Sequence, residues 1–155
     1  MGALSQRIIA KVSGRGWEQL RGQFMQMAHL FLSVSPDADS DLHTIYVKFT
    51  VNSNPQSPAY AAIWLKTSKR LVVGLALPED CEAEELSHAP PGMAYRGLTK
   101  YFVVERGGVV PRGLAEWAGL AHQNILAVEP LTAFMDHVAV SQLAAREGVS
   151  LRRAG

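Results

Sequence analysis

The stretch that decides the fold runs from Ala59 to Leu77 and has the sequence AYAAIWLKTSKRLVVGLAL. Its two apolar, β-prone runs flank the polar tetrapeptide KTSK, a pattern typical of a β-hairpin. Thr67 and Ser68 lack the glycine or asparagine that tight turns prefer, so we expect a loop of about three to five residues. Ile63 and Trp64 point to opposite sides of one strand, so both faces of the hairpin are apolar. The hairpin therefore needs cover on both faces.

Further strands are predicted on both sides of this hairpin. Upstream, HTIYVKFTV (His43–Val51) alternates with a period of two, which indicates a half-buried strand. The two prolines of NSNPQSP then end it, because they remove backbone donors. Downstream, LTKYFVVE (Leu98–Glu105) supplies the last strand, whereas Ser33–Asp41 is predicted to be a turn-rich connector. The short connections favour an antiparallel sheet of about four strands.

Helices are predicted at both ends of the chain. The segment WEQLRGQFMQMAHLFLSV carries an apolar stripe at helical spacing, formed by Trp17, Leu20, Phe24, Met27 and Phe31. Further helices are predicted at Leu4–Val12, at 109–126 and at Leu131–Glu147, with a frayed tail from about residue 148. Because helices and strands are grouped rather than alternating, the pattern predicts one α+β domain over residues 1–155, with the sheet packed between the terminal helices.

Composition narrows the functional classes. The chain has 155 residues, of which 48% are hydrophobic, and 15 basic residues balance 14 acidic ones. This balance argues against a protein whose main task is to coat DNA, since such a protein gains its affinity by neutralising phosphates. Cys81 is the single cysteine and has no partner for an internal disulfide, which favours the cytoplasm. No secretory leader and no membrane-spanning run is expected.

A ligand site is predicted around the stretch MAYRGLTKYFVV (Met93–Val104). Amphipathic rings and long cations make adaptable binding surfaces, so this stretch and the hairpin suit an anionic ligand. The predicted site residues are Trp64, Lys66, Tyr95, Arg96, Lys100 and Tyr101. The alternative interpretation is an ordinary strand whose alternation needs no ligand.

The tip KTSKR gives a second hypothesis, association with nucleic acid. Lys66, Lys69 and Arg70 lie at this tip, and Tyr46 or Trp64 beside them would provide a ring on which a base stacks. Lysines at hairpin tips also prevent sheets from pairing edge to edge, which is the competing explanation.

Signals for enzyme chemistry are sparse. The five histidines show no spacing that would place two ligands on one helical face, and no metal site is predicted. The acidic loop from Glu79 to Glu85 surrounds Cys81, which disfavours a reactive thiolate and indicates a solvated loop. No glycine-rich cofactor fingerprint occurs, so no cofactor is predicted. A small hydrolase or transferase acting through His88 and Cys81 is a third hypothesis and requires the two side chains to meet.

The second half of the chain resembles a small uncharacterised bacterial α+β family, loosely catalogued as a predicted transport protein and sometimes found behind nuclease domains. The resemblance rests on a Gly-Leu-x-Leu-Pro strand exit at Gly74–Pro78 and a Gly-x-Thr-Lys strand start at Gly97–Lys100, followed by a closing helix. Histidine often stands in that family where this chain has Lys100, and the segment after Glu129 looks like an addition. The resemblance implies a fold and no catalytic residues.

Together these patterns favour a non-enzymatic binding module of unknown ligand. The apolar residues on both hairpin faces also motivate a homodimer as cover.

Overall fold

The computed structural model describes residues 4–51 and 58–126. In chain order the elements are α1 (Gln6–Ser13), α2 (Arg21–Leu32), β1 (Ala38–Leu42), β2 (Tyr46–Val51), β3 (Ala59–Thr67), β4 (Arg70–Leu75) and β5 (Lys100–Glu105). A third helix, α3, covers residues 114–126. The predicted helix at Leu131–Glu147 and the predicted tail lie outside the described residues.

The first two helices form close to the ranges predicted for them. The Ser5 side chain caps α1 by accepting a hydrogen bond from the Ile8 backbone N–H at 3.2 Å. Helix α2 begins at Arg21 rather than at Trp17, after a turn in which the Leu20 backbone N–H donates to the Trp17 carbonyl. Phe24 on α2 is fully buried, so the predicted stripe faces the core.

The five strands form one antiparallel sheet in the order β1-β2-β3-β4-β5, which confirms the α+β class. The sheet has one strand more than predicted, because Ala38–Leu42 pairs with β2 instead of forming only turns. This strand has the sequence ADSDL and buries only Ala38, so it lacks the apolar alternation that marks an internal strand.

The hairpin between β3 and β4 is tighter than expected. Thr67 pairs with Arg70, so the connection has two residues rather than three to five. The Thr67 hydroxyl accepts a hydrogen bond from the Lys69 backbone N–H at 3.2 Å, which holds the turn without a glycine or an asparagine.

The described helices α2 and α3 pack on the same face of the sheet, so the prediction that the sheet lies between the terminal helices was wrong for these two. The ring centroids of Phe31 on α2 and Phe49 on β2 lie 4.9 Å apart, and those of Trp117 on α3 and Phe102 on β5 lie 5.9 Å apart. Val47 on β2 is aligned with Phe102 on β5 through Ile63 on β3 and Val73 on β4, so Val47 and Phe102 point to the same face. Phe49 lies two residues after Val47 on β2 and therefore points to that face as well. We call this side the helical face.

The opposite side, which we call the loop face, is covered by residues 76–99. Leu98 in this loop is buried, and Tyr101 on β5 packs between it and Gly74 on β4. The Thr99 hydroxyl anchors the loop by donating to the Leu77 carbonyl at 2.7 Å and accepting from the Leu77 N–H at 3.1 Å. The cover that both apolar hairpin faces require thus comes from helices on one side and from a loop on the other.

Candidate functional site

A cleft of about 330 Å³ opens on the loop face at the turn end of the β3–β4 hairpin. It combines an apolar floor with charged walls. Its lining residues are Trp64, Lys66, Thr67, Lys69, Arg70, Val72, Met93 and Glu105.

The hairpin tip is fixed in place by the residue that follows β5. The Arg106 guanidinium donates from Nε to the Ser68 carbonyl at 2.7 Å and from Nη2 to the Ser68 hydroxyl at 3.3 Å. Together with the Thr67 hydroxyl bond inside the turn, these contacts hold the tip against the end of β5. The cations on the tip are therefore presented from an ordered turn.

Positively charged side chains outnumber negatively charged ones in the described lining of the cleft. Lys66, Lys69 and Arg70 are all exposed, and Glu105 is the single carboxylate in the lining. Arg70 and Glu105 face each other in the register of β4 and β5. Three positive groups against one negative group give the cleft a positive field, which salt screens because the groups are exposed.

An aromatic cluster lies beside the cleft. The ring of Tyr46 stacks on that of His43, with 4.8 Å between the ring centroids. The centroid of the Tyr46 ring lies 5.6 Å from that of Trp64, and the centroid of the Trp64 ring lies 6.0 Å from that of Tyr101. Tyr95 meets Tyr46 edge-on at 5.5 Å. Trp64 is only 3% exposed and Tyr101 only 2%, so neither ring offers an open face on which a base could stack.

Burial keeps two of these phenols protonated. It raises the pKa of Tyr46, and Tyr95 and Asp41 nearby raise it further. Burial also raises the pKa of Tyr101, although the hydrogen bond from the Tyr95 backbone N–H to its hydroxyl, 3.0 Å long, opposes that shift. Both side chains are therefore neutral near pH 7.

The structure brings together only part of the predicted site. Trp64 and Lys66 line the cleft, whereas Tyr95 and Tyr101 belong to the aromatic cluster next to it. Arg96 is exposed on the covering loop and does not line the cleft.

Lys100 lies on the other side of the sheet from Tyr101. It aligns with Leu75, while Tyr101 aligns with Gly74, and successive residues of a strand point to opposite faces. The Lys100 ammonium lies 3.9 Å from a carboxylate oxygen of Glu82 in the acidic loop. The strand alternation thus separates Lys100 from the cleft.

Sequence reasoning missed Glu105 and Val72 as lining residues. Their places depend on the register between β4 and β5, which composition does not reveal. The sequence did point to the neighbourhood of Met93, because this residue begins the aromatic and basic stretch Met93–Val104 in which the ligand site was predicted.

Comparison with known proteins gives no further guide. The chain matches no protein-family model, no curated protein and no solved structure. The functional argument therefore rests on the geometry of the site.

The other candidate groups do not assemble into a reactive centre. No hydrogen bond joins Cys81 and His88, which both lie in the described part of the chain. Within residues 4–51 and 58–126, no group of three or more histidine, cysteine or acidic side chains is placed to hold a metal ion. Of the helices in that same part, none combines the length and the apolar character that a bilayer crossing requires.

Proposed function

We propose that this protein is a non-enzymatic binding module and that its cleft at the hairpin tip takes a small anionic ligand with an apolar portion. The observation that carries the proposal is the cleft itself. Lys66, Lys69 and Arg70 line it together with the apolar side chains of Trp64, Val72 and Met93.

The size and the chemistry of the cleft suit such a ligand. Its volume of about 330 Å³ lies at the small end of the range for ligand pockets, roughly 300–1,000 Å³. The lysine ammonium groups and the Arg70 guanidinium bind carboxylate or phosphate oxygens, and the guanidinium does so through two parallel hydrogen bonds. Val72 and Met93 provide apolar contacts for the remainder of the ligand.

The lining favours binding over catalysis. Among the described residues, those that line the cleft include no histidine and no cysteine, the side chains that most often act as general base or as nucleophile at neutral pH. The bacterial family suggested by the sequence carries an expectation of fold and not of activity, so it does not select a ligand either.

A binding titration tests the proposal. Phenyl phosphate serves as the probe, and inorganic phosphate shows whether the apolar portion contributes. We expect phenyl phosphate to shift the backbone amide resonances of Ser68 and Lys69 and to bind more tightly than phosphate. The double substitution K66E/K69E should weaken binding at least about tenfold, since it reverses two of the three positive charges.

The control is R7E/K11E, which reverses the same number of charges on the exposed side of α1. It should leave the affinity unchanged. An equal loss in both variants would mean that only net charge matters, and an affinity unaffected by K66E/K69E would refute the cleft as the site.

Nucleic acid is the second candidate ligand, favoured by the three exposed cations on one tip. The burial of Trp64 weighs against it, because it removes one of the two rings, Tyr46 and Trp64, on which a base was predicted to stack. If all three cations contact phosphates, the affinity for an oligonucleotide should fall with salt at a log–log slope of about −2 to −3. No binding at low salt would exclude this candidate.

A homodimer and a cytoplasmic location remain predictions. The loop over residues 76–99 supplies the cover for which a second copy was invoked, so the apolar hairpin faces no longer require a dimer. Light scattering on the full chain decides the oligomeric state.

A further inference from the structure

Strand β5 is an edge of the sheet, and its outer side is only partly occupied. Ser87 fills the first position beyond it, since the Ser87 N–H donates to the Tyr101 carbonyl and the Tyr101 N–H donates to the Ser87 carbonyl, both at 2.8 Å. In an antiparallel sheet the outward and inward backbone groups of a strand alternate. The N–H and the carbonyl of Val103 therefore point outward, like those of Tyr101.

Nothing in the described part of the chain pairs with these outward groups of Val103. Beyond Ser87 along the strand edge lies a groove of about 600 Å³, which no described residue fills. The groove is lined by Glu85, Ser87, Phe102, Val103, Val109, Val110, Pro111 and Arg112.

The groove exposes apolar surface as well as backbone. The side chain of Val103 is 41% exposed and that of Val109 is 85% exposed. An unpaired strand edge beside exposed valines is a template for another strand, and natural sheets usually blunt such an edge with a charge or a proline. The apolar residue at the open position, Val103, lacks that protection.

We propose that this edge binds an extended peptide segment of another protein, which adds a short antiparallel strand opposite Val103. The partner peptide is apolar at its centre, so that one side chain covers Val103 and Val109. It carries one charge of each sign, because Glu85 and Arg112 are the two charged groups of the lining. Backbone hydrogen bonds supply affinity in this mode and side-chain contacts supply specificity.

The contacts on the edge disfavour a second copy of this chain as the occupant. Two-fold antiparallel pairing centred on Val103 would place Glu105 opposite Tyr101 of the other copy. Ser87 already occupies the outer side of Tyr101, and the Glu105 carbonyl accepts a hydrogen bond from the Gly108 N–H at 2.8 Å. Nucleic acid is disfavoured as well, since the lining has one positive and one negative group rather than a basic surface.

Amide hydrogen exchange at Val103, measured by NMR on the full chain, tests the proposal. The free protein should exchange this amide rapidly. The probe is a blocked seven-residue peptide with a central valine, a lysine on one side of it and a glutamate on the other. At millimolar concentration it should slow exchange at Val103 about tenfold, in proportion to the bound fraction.

Two variants separate backbone pairing from simple apolar contact. V103P removes the outward N–H, replaces the isopropyl group by a ring and restricts the backbone φ angle, changes that edge strands tolerate, and should abolish binding of the peptide. V103T keeps the N–H and the branched shape and should retain the affinity within about twofold. If V103P fails to fold, the same peptide methylated on its backbone nitrogens provides an equivalent loss of pairing without altering the protein.

Four outcomes would overturn the proposal. The Val103 amide could be protected in the free protein, which would mean that the chain itself covers the edge. Its protection could rise with protein concentration, which would identify a second copy as the occupant. The peptide could leave exchange unchanged, or the methylated peptide could bind as well as its parent.

Discussion

Tyr101 and Gly74 are neighbours across β5 and β4, and the tyrosine ring lies against the glycine backbone. A Cβ atom at position 74 would stand 2.7 Å from Cε2 of that ring and 3.0 Å from a methyl carbon of Leu98. The absence of a side chain at Gly74 therefore allows the covering loop to close on the sheet. The ring centroid of Tyr101 also lies 6.0 Å from that of Trp64, which lines the cleft.

G74A should destabilise the protein by about 1–3 kcal/mol, the usual cost of overpacking a filled core. The ring cannot move aside easily, because Tyr101 is buried and its hydroxyl accepts a hydrogen bond from the Tyr95 N–H. The urea dependence of unfolding measures the effect. G22A is the matched control: position 22 lies on the exposed side of α2 with no atom within 4 Å of an added Cβ. It should stabilise by about 0.5–1 kcal/mol, since alanine is the better helix former.

T99V should detach the covering loop from the end of β4. Valine has nearly the same shape but leaves the buried Leu77 N–H without the oxygen that now accepts from it at 3.1 Å. We expect a loss of about 1–3 kcal/mol in the free energy of unfolding. Thr44 is exposed and makes no side-chain hydrogen bond within the described residues, so T44V should change stability by less than about 0.5 kcal/mol. Similar small effects of the two substitutions would show that the loop is held by apolar packing alone.

The sequence predicts an element well where one face of it is buried. α2 carries a stripe at helical spacing, so burial leaves a periodic trace. β2 alternates apolar and polar residues in sequence, but the prediction that it is half-buried was wrong, because the fold buries both of its faces, including Lys48 and Thr50. β1 leaves no such trace, because it is an edge strand that buries Ala38 alone. The hairpin sequence predicted that both of its faces need cover. Because the two faces are equally apolar, the sequence cannot show on which face the helices pack.

The candidate site was predictable only in part, for a related reason. Lys66 and Trp64 are two residues apart on β3 and share a face, as the period of a strand requires. Lys100 and Tyr101 are adjacent on β5, and the same period places them on opposite faces, so grouping them in one site was avoidable. Glu105 enters the lining through cross-strand register, which the sequence does not specify without the turn geometry.

Y60F should lower stability at neutral pH and reduce its loss at alkaline pH. The Tyr60 hydroxyl donates to the Phe31 carbonyl at 2.7 Å inside the core, a bond worth about 0.5–1.5 kcal/mol. Burial, with a smaller contribution from Asp39, raises the pKa of Tyr60 above its usual value of about 10. The unfolded tyrosine therefore ionises first, so stability is complete below about pH 10 and declines as the pH rises above it.

The comparison that isolates Tyr60 is the difference in unfolding free energy between the wild-type chain and Y60F. It should shrink between about pH 9 and about pH 11, because the other tyrosines contribute equally to both proteins. A difference that stays constant over this interval would contradict the burial of the phenol.

H122Q should remove a loss of stability on the acid side. His122 on α3 is 8% exposed, lies edge-on to Tyr60 at 5.5 Å, and its Nε2 has no hydrogen-bond partner among the described residues. Burial lowers its pKa below the usual value of about 6.5, so the unfolded chain takes up a proton at this position before the folded protein does. Stability should therefore be complete above about pH 6.5 and decline below it. Between about pH 7.5 and about pH 5, the stability of H122Q should decline less than that of the wild-type chain.

H88Q, at an exposed loop position, is the control, and its stability should decline as that of the wild-type chain does. Equal acid sensitivity of H122Q and the wild-type chain would place the responsible group elsewhere.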